Sequence, residues 1–252
     1  MSVVAGMIID MDRSAIAVTG AASGLGRHIS IELLTRGRPV ILLDRDTDAL
    51  DAAVDELGAQ GSRATVSAVV ADLSTLDGVH AAADELIGRS DLGGLVNNAG
   101  GWLPGDQYPD AAPEAWLSAV TLNLLAPMLL TQRLWPRLAA SAGAVVTIGS
   151  SGGVGDDAYG SPEYAAAKAG VRRFTASLSA RTDVRVMAVV PGWIGLDRAQ
   201  REWAALSPGQ QHDVGPLIPP EEVAGVVVSL LTDGRPGEVI DLLRSQADAR
   251  AT

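Results

Sequence analysis

Two patterns of apolar residues alternate along the chain, and together they predict its architecture. The first is a short continuous run. Ala15 to Thr19, Pro39 to Leu43, Ala64 to Val70, Gly94 to Asn97, Ala144 to Ile148 and Val184 to Val190 all have this form. Runs that are apolar at successive positions read as strands buried on both faces. The second pattern is apolar residues at helical spacing. Leu25 to Arg36 puts Ile29, Leu33 and Leu34 on one face, and Gly37 follows as a stop. Thr47 to Gln60, Thr75 to Gly88 and Ala115 to Ala139 read as further helices. Pro127 and Pro136 are predicted to kink or interrupt the last of these. Ser161-Pro162 reads as an N-cap followed by a proline at the first helical position, opening a helix to about Ala180. Pro219-Pro220-Glu221-Glu222 opens another to Leu231, and Glu238 to Asp241 forms a last short strand.

Strands and helices alternate throughout, which predicts an α/β fold. The expected architecture is a doubly wound parallel sheet of Rossmann type, three layers deep with helices on both faces. No repeat or linker divides the chain, so residues 1–252 read as a single domain. Only residues 193–218 lack a clear element, and a long irregular segment of this kind reads as a substrate lid.

Composition narrows the functional classes. Hydrophobic residues make up 47% of the 252, enough for a sizeable core. The formal net charge of −11 repels phosphate backbones and anionic membrane surfaces, so neither nucleic acid nor membrane is an expected partner. No apolar run approaches the roughly 20 residues of a spanning helix, and Met1 to Ser14 does not read as a signal peptide. The absence of cysteine excludes thiolate chemistry and disulfides. His28, His80 and His212 are scattered, so no metal site is expected. The chain carries a single lysine, Lys168.

Two local motifs carry chemistry. Thr19-Gly20-Ala-Ala-Ser23-Gly24-Leu25-Gly26 joins the first strand to the first helix. A helix N-terminus offers unpaired N–H groups and partial positive charge, and glycine lets a pyrophosphate come close. Asp44 follows the second strand, where a carboxylate can accept hydrogen bonds from an adenosine ribose and repel a 2′-phosphate. Arg45 and Arg27 offer the opposite preference, and the reading favours NAD over NADP. The second motif is Tyr164-Ala-Ala-Ala-Lys168, in which residues at i and i+4 share a helix face. A phenol is a poor base at neutral pH. A nearby ammonium is expected to lower its pKa and make the pair a general acid/base unit. Tyr159 has Glu163 at i+4 and lacks that support.

With these motifs in order, the sequence resembles the short-chain dehydrogenase/reductase family over about residues 14–242. Thr19 to Gly26 resembles its TGxxxGxG turn, and Asp72-Leu73 its adenine-contacting pair. Asn97-Asn98-Ala99-Gly100 is similar to its NNAG segment, and Asn123 falls where the family has a helix-borne Asn. Ser150 and Ser151, Tyr164 and Lys168, and Pro191-Gly192 follow on matching elements. The resemblance implies a nicotinamide-dependent enzyme interconverting an alcohol and a ketone. Tyr164 would exchange the proton, Lys168 would support Tyr164 and hold the nicotinamide ribose, and Ser150 would bind the substrate oxygen. Asn123 would hold a water linked to Lys168, and Ile194 would bind the carboxamide through its backbone. It also implies a cytoplasmic homodimer or homotetramer. Three departures stand out. Ser151 rather than Ser150 has the family's spacing to Tyr164, although Ser150 fits the preceding strand better. Leu196 occupies the place of a threonine after Pro191-Gly192, and Leu242-Leu243-Arg244 stands where the family has Gly-Gly.

Trp102 follows the NNAG segment and Trp193 follows Pro191-Gly192, which places both at the cleft rim, while Trp203 falls in the lid. With Ser151 they are the candidate substrate contacts, and they suggest a hydrophobic or ring-bearing substrate. Packing of the lid is the other reading, and Asp156 and Asp157 offer a polar alternative. A non-catalytic dinucleotide sensor is the rival function. The complete Asn–Ser–Tyr–Lys set argues for an enzyme, and the chain has no room for the separate substrate region of the extended, epimerase branch.

Overall fold

The computed structural model describes residues 14–59, 65–156 and 158–243. Gln60, Ala64, Asp157 and Arg244 therefore lie outside the described residues. The strands are β1 (Ala15–Thr19), β2 (Val40–Asp44), β3 (Val66–Val70), β4 (Leu92–Asn97), β5 (Ala144–Ile148), β6 (Arg185–Pro191) and β7 (Val239–Leu242). They form one parallel sheet in the order β3-β2-β1-β4-β5-β6-β7. The order reverses between β1 and β4, and at such a point the loops leaving the two strands diverge and open a crevice.

Strand parity divides the core. Ile16, Val18, Leu42, Val96 and Val146 join one buried cluster, which holds Ile29 and Leu33 of α1 (Gly24–Thr35), Leu50 and Leu57 of α2 (Thr47–Ala59) and Val227 of α9 (Pro220–Asp233). Their neighbours Ala15, Ala17, Ile41, Leu95 and Val145 face the opposite way. They pack with Leu86 of α3 (Leu76–Ile87) and with Leu130, Leu134 and Leu138 of α5 (Ala126–Ala140). Successive side chains of a strand point to opposite faces, so each run must be apolar throughout. The expected three-layer architecture is borne out.

Two expectations are corrected. The prolines do not break the long helix. α4 (Pro113–Val120), a π-turn (Thr121–Leu125) and α5 run on as one helix, with Pro113 in the first turn of α4. The Ala126 N–H reaches back five residues to the Thr121 oxygen. This widened turn makes room for Pro127, which lacks an N–H and would otherwise crowd the carbonyl four residues back. The resulting Pro113–Ala140 helix has 28 residues, and an 18-residue window within it reaches a mean hydropathy of 1.3, so by length and composition alone it could cross a membrane. Its apolar stripe from Ala126 to Leu138 is buried against the sheet.

The second correction concerns residues 193–218, which are not irregular. Ile194 bridges to Ile218, and α7 (Asp197–Ala204) and α8 (Pro208–Val214) fill the span between them. α7 buries no residue, and its apolar positions are only Ala199, Trp203 and Ala204, too few to stand out among its charged neighbours. α8 did carry a signal: Ser207 and Gln210 form a capping box. The Trp203 indole donates to the Gly215 oxygen at 3.0 Å and ties α7 to the end of α8. The last helix to be placed is α6 (Pro162–Ser177), which packs beside β6 and carries Tyr164 and Lys168.

Candidate active site

A cleft of about 840 Å³ opens at the carboxyl ends of β1, β4 and β5. Its floor at one end is the turn between β1 and α1. Gly20 (φ +63°) and Gly24 (φ +53°) adopt left-handed backbone that other residues disfavour. A Cβ on Gly20 would come within 3.0 Å of the Ala99 Cα. A Cβ on Gly26 would collide with the Gly20 carbonyl oxygen and lie 2.6 Å from Asn98 Nδ2, so Gly26 sits behind the turn rather than on the cleft wall. Ser23 at the N-cap makes no side-chain bond, and α1 has no acidic residue in its first turn. Its open amide end therefore suits a phosphate. Gly26→Ala is expected to destabilise the fold by about 1–3 kcal/mol through overpacking, measured as a lowered thermal midpoint.

The turn is pinned from two sides. Asp44 accepts the Ala22 N–H at 3.1 Å and the Arg45 N–H at 2.8 Å, which fixes its carboxylate at the cleft edge. Thr19 Oγ1 accepts both the Asn98 and Ala99 N–H at 2.9 Å, and Asn98 Nδ2 donates to the Thr19 oxygen at 2.8 Å. Asn97 is different. It is buried and donates to Thr131 and Thr147 at 3.3 Å, away from the cleft. Parity again explains this, because neighbours at a strand end face opposite sides. Arg27 is committed to an ion pair with Glu56 and does not line the cleft, whereas Arg45 does. Asp72 and Leu73 line the same end, and bonds from the Ser74 N–H and hydroxyl hold the Asp72 carboxyl below its ordinary pKa.

At the other end lie Ser150, Tyr164 and Lys168, with Gly100, Pro191, Gly192, Trp193 and Ile194 along the walls. Lys168 is buried, and its Nζ donates to the Ile148 oxygen at 2.9 Å. Desolvation lowers its pKa from 10.5 to about 8. Lys168 Nζ is 5.8 Å from the centre of the Tyr164 ring. The Tyr164 phenol is pushed above its ordinary pKa, chiefly by burial; a hydrogen bond with Ser150 acts the other way, and Arg198 does so more weakly. The net direction is opposite to the lowering expected from Lys168, because burial outweighs the groups that favour the phenolate. Ser150 is the serine that meets Tyr164, and its Oγ also accepts the Gly152 N–H at 3.1 Å. Ser151 instead begins a short 3₁₀ turn and does not line the cleft. That turn can lie on α6 because a Cβ at Gly153 would come 2.5 Å from the Ala169 nitrogen.

Asn123, in the π-turn, is fully buried behind the wall. Its side chain accepts the Gly101 N–H at 2.9 Å and donates to the Gly101 oxygen at 3.0 Å. It thus clamps the segment that leads to Trp102.

Several cleft residues were not foreseen. Tyr159 stacks on Tyr164 with ring centres 5.9 Å apart. Arg198 of α7 lies over the Trp102 ring at 4.9 Å, and Glu202 stands beside it. Trp193 lines the cleft, whereas Trp203 and Asp156 do not. Nothing local in the sequence couples residues 102, 159 and 198, because two separate loops and α7 bring them together.

A crevice at the sheet's switch point, an open helix N-terminus and a Ser–Tyr–Lys cluster define a dinucleotide-dependent oxidoreductase site. The family model for the short chain dehydrogenase matches residues 14–206. Galactitol 2-dehydrogenase of Cereibacter sphaeroides is 33% identical over 75% of this chain and 75% of its own. Among solved structures, a short-chain dehydrogenase from Sphingobium yanoikuyae in complex with NADPH has a TM-score of 0.78 at 27% identity, covering 94% of this chain and 91% of its own. A 3-oxoacyl-[acyl-carrier protein] reductase from Brucella melitensis with bound NAD has 0.77 at 25% identity, covering 96% and 95%. The chain belongs to the short-chain dehydrogenase/reductase family, and it is an oxidoreductase acting on CH–OH groups with a nicotinamide dinucleotide.

Proposed function

We propose that the protein interconverts a secondary alcohol and a ketone on a hydrophobic or ring-bearing small molecule, with Tyr164 exchanging the proton on the substrate oxygen and NAD as the preferred cofactor. The observation that carries this reading is that the partly buried Tyr164 lines the dinucleotide cleft together with Ser150 and Lys168. The glycine turn and the α1 N-terminus would hold the pyrophosphate, Asp44 the adenosine ribose, and Asp72-Leu73 the adenine. The cofactor, when bound, supplies or accepts the hydride.

The chain's own groups do the rest. Ser150 donates to the substrate oxygen as negative charge grows there. Tyr164 keeps its proton at neutral pH because burial raises its pKa, so it starts as an acid and suits carbonyl reduction. The reverse direction needs the phenolate and is favoured by alkaline pH. Lys168, behind Tyr164, holds the nicotinamide ribose and returns protons to the site. Asn123 orders Gly101 and so sets the wall on which the substrate rests. Tyr159, Trp102 and Trp193 provide the apolar faces.

The test is a screen of secondary alcohols and ketones with purified protein, followed by nicotinamide absorbance. Turnover with at least one aromatic or alicyclic ketone is the expected result; no turnover with either cofactor would overturn the reading. Cofactor choice has its own check. Asp44→Asn keeps an acceptor at the turn but removes the charge that repels a 2′-phosphate. It is expected to shrink the preference for NADH over NADPH roughly tenfold, read from the two dissociation constants. Arg45 is the cation left to receive that phosphate, since Arg27 is held by Glu56.

A further inference from the structure

The substrate end of the cleft carries one charged pair, Arg198 and Glu202 on α7, and its geometry is specific. The Arg198 guanidinium lies on the Trp102 ring at 4.9 Å. That ring is itself fixed, because the Trp102 Nε1–H donates to Gln107 Oε1 at 2.8 Å. Gln107 in turn donates to the Gly105 oxygen at 2.8 Å and the Leu103 oxygen at 3.1 Å. On its inner edge, Arg198 Nε donates to Glu202 Oε1 at 2.7 Å. The guanidinium plane is thus set by Trp102 and its rotation by Glu202. Among the described residues, nothing bonds to either terminal amino nitrogen. Those two nitrogens form a fork that matches a planar carboxylate with two parallel hydrogen bonds.

We propose that Arg198 is the specificity-determining residue of this site, and that its substrates are hydroxy or keto compounds bearing a carboxylate beside a flat apolar group. This deepens the alcohol–ketone reading and rests on it. The fork takes the carboxylate while Trp102 and Tyr159 take the apolar body. A phosphate is disfavoured, since its second negative charge would meet Glu202. The Arg198 side chain is 51% exposed, so its replacement leaves the fold intact.

Two readouts separate this proposal from the reading beneath it. The first is calorimetric binding of benzoate and of benzamide, its neutral counterpart, to the enzyme loaded with oxidised cofactor. The second is turnover of 4-acetylbenzoate against its methyl ester. Wild type is expected to favour the anion roughly 10- to 100-fold in both, the range of a charge-assisted bidentate contact. Arg198→Gln is expected to reduce both ratios to near one, the binding and turnover of the anion falling far more than those of its neutral counterpart. Equal binding of benzoate and benzamide, including no binding of either, would overturn the assignment, as would a ratio unmoved in Arg198→Gln. An anion preference in binding that Arg198→Gln abolishes, with no ketone or alcohol turned over, would uphold Arg198 and overturn the alcohol–ketone reading instead.

Discussion

Tyr164→Phe is expected to lower kcat about 10²- to 10⁴-fold, the worth of a positioned proton donor. The substitution deletes one oxygen and keeps the ring, so the stack on Tyr159 survives. Ser150 retains the Gly152 N–H as donor, which keeps its side chain placed. Nothing in the phosphate-binding turn touches the phenol, so dinucleotide affinity is expected to change less than about twofold. The residual rate should also lose its pH dependence. In the wild type the raised phenol pKa makes alcohol oxidation climb with pH, because the base form must first appear, while reduction stays level at neutral pH. Steady-state kinetics in both directions across pH checks this. An oxidation profile of unchanged slope in Tyr164→Phe would remove Tyr164 from the proton path.

Lys168→Met is expected to abolish most activity and yet stabilise the fold. The ammonium is buried, and desolvation alone takes its pKa from 10.5 to about 8. A depression of this size corresponds to roughly 3 kcal/mol of penalty on the charged form. The sign follows from proton binding. Between pH 8 and 10.5 the unfolded chain holds a proton on Lys168 that the native protein has released. Wild-type stability therefore rises with pH through that window, and the penalty is fully present below it. Methionine fills the same volume without charge. Against this stands the Ile148 carbonyl, which loses its 2.9 Å donor, at a cost of about 1–3 kcal/mol. The net gain at pH 7 is about 0–2 kcal/mol, and the advantage fades as pH approaches 10.5. Urea unfolding midpoints of both proteins at neutral and alkaline pH measure it. A variant less stable than wild type at pH 7 would mean that the hydrogen bond outweighs the desolvation.

The parts of the molecule legible in the sequence are those written in local spacing. The runs from Ala15 and Pro39 had to be strands, and the glycines from Gly20 to Gly26 had to be a turn against something bulky. Tyr164 and Lys168 share a helix face by arithmetic alone. Spacing to Tyr164 pointed to Ser151 and the fit to β5 pointed to Ser150; packing puts Ser150 on the cleft wall with Tyr164, while Ser151 begins a 3₁₀ turn away from it. Asn97 was misplaced although the signal was present, for strand parity forbids Asn97 and Asn98 from reaching the same turn. Pro127 misled because a π-turn, which has no sequence signature of its own, absorbs the missing N–H. Tyr159, Gln107 and Arg198 were not visible at all. Gln107 and Tyr159 sit on separate loops and Arg198 on α7, and only the folded sheet brings these segments to one mouth.

The central claim is that the cleft binds a nicotinamide dinucleotide and leaves Tyr164 free for chemistry. Fluorescence titration of NADH and NADPH into the purified protein, with Tyr164→Phe alongside, tests it most directly. The account predicts saturable binding, tighter for NADH, with the same affinity in the variant. Binding of neither dinucleotide, or affinity lost with the Tyr164 hydroxyl, would contradict it.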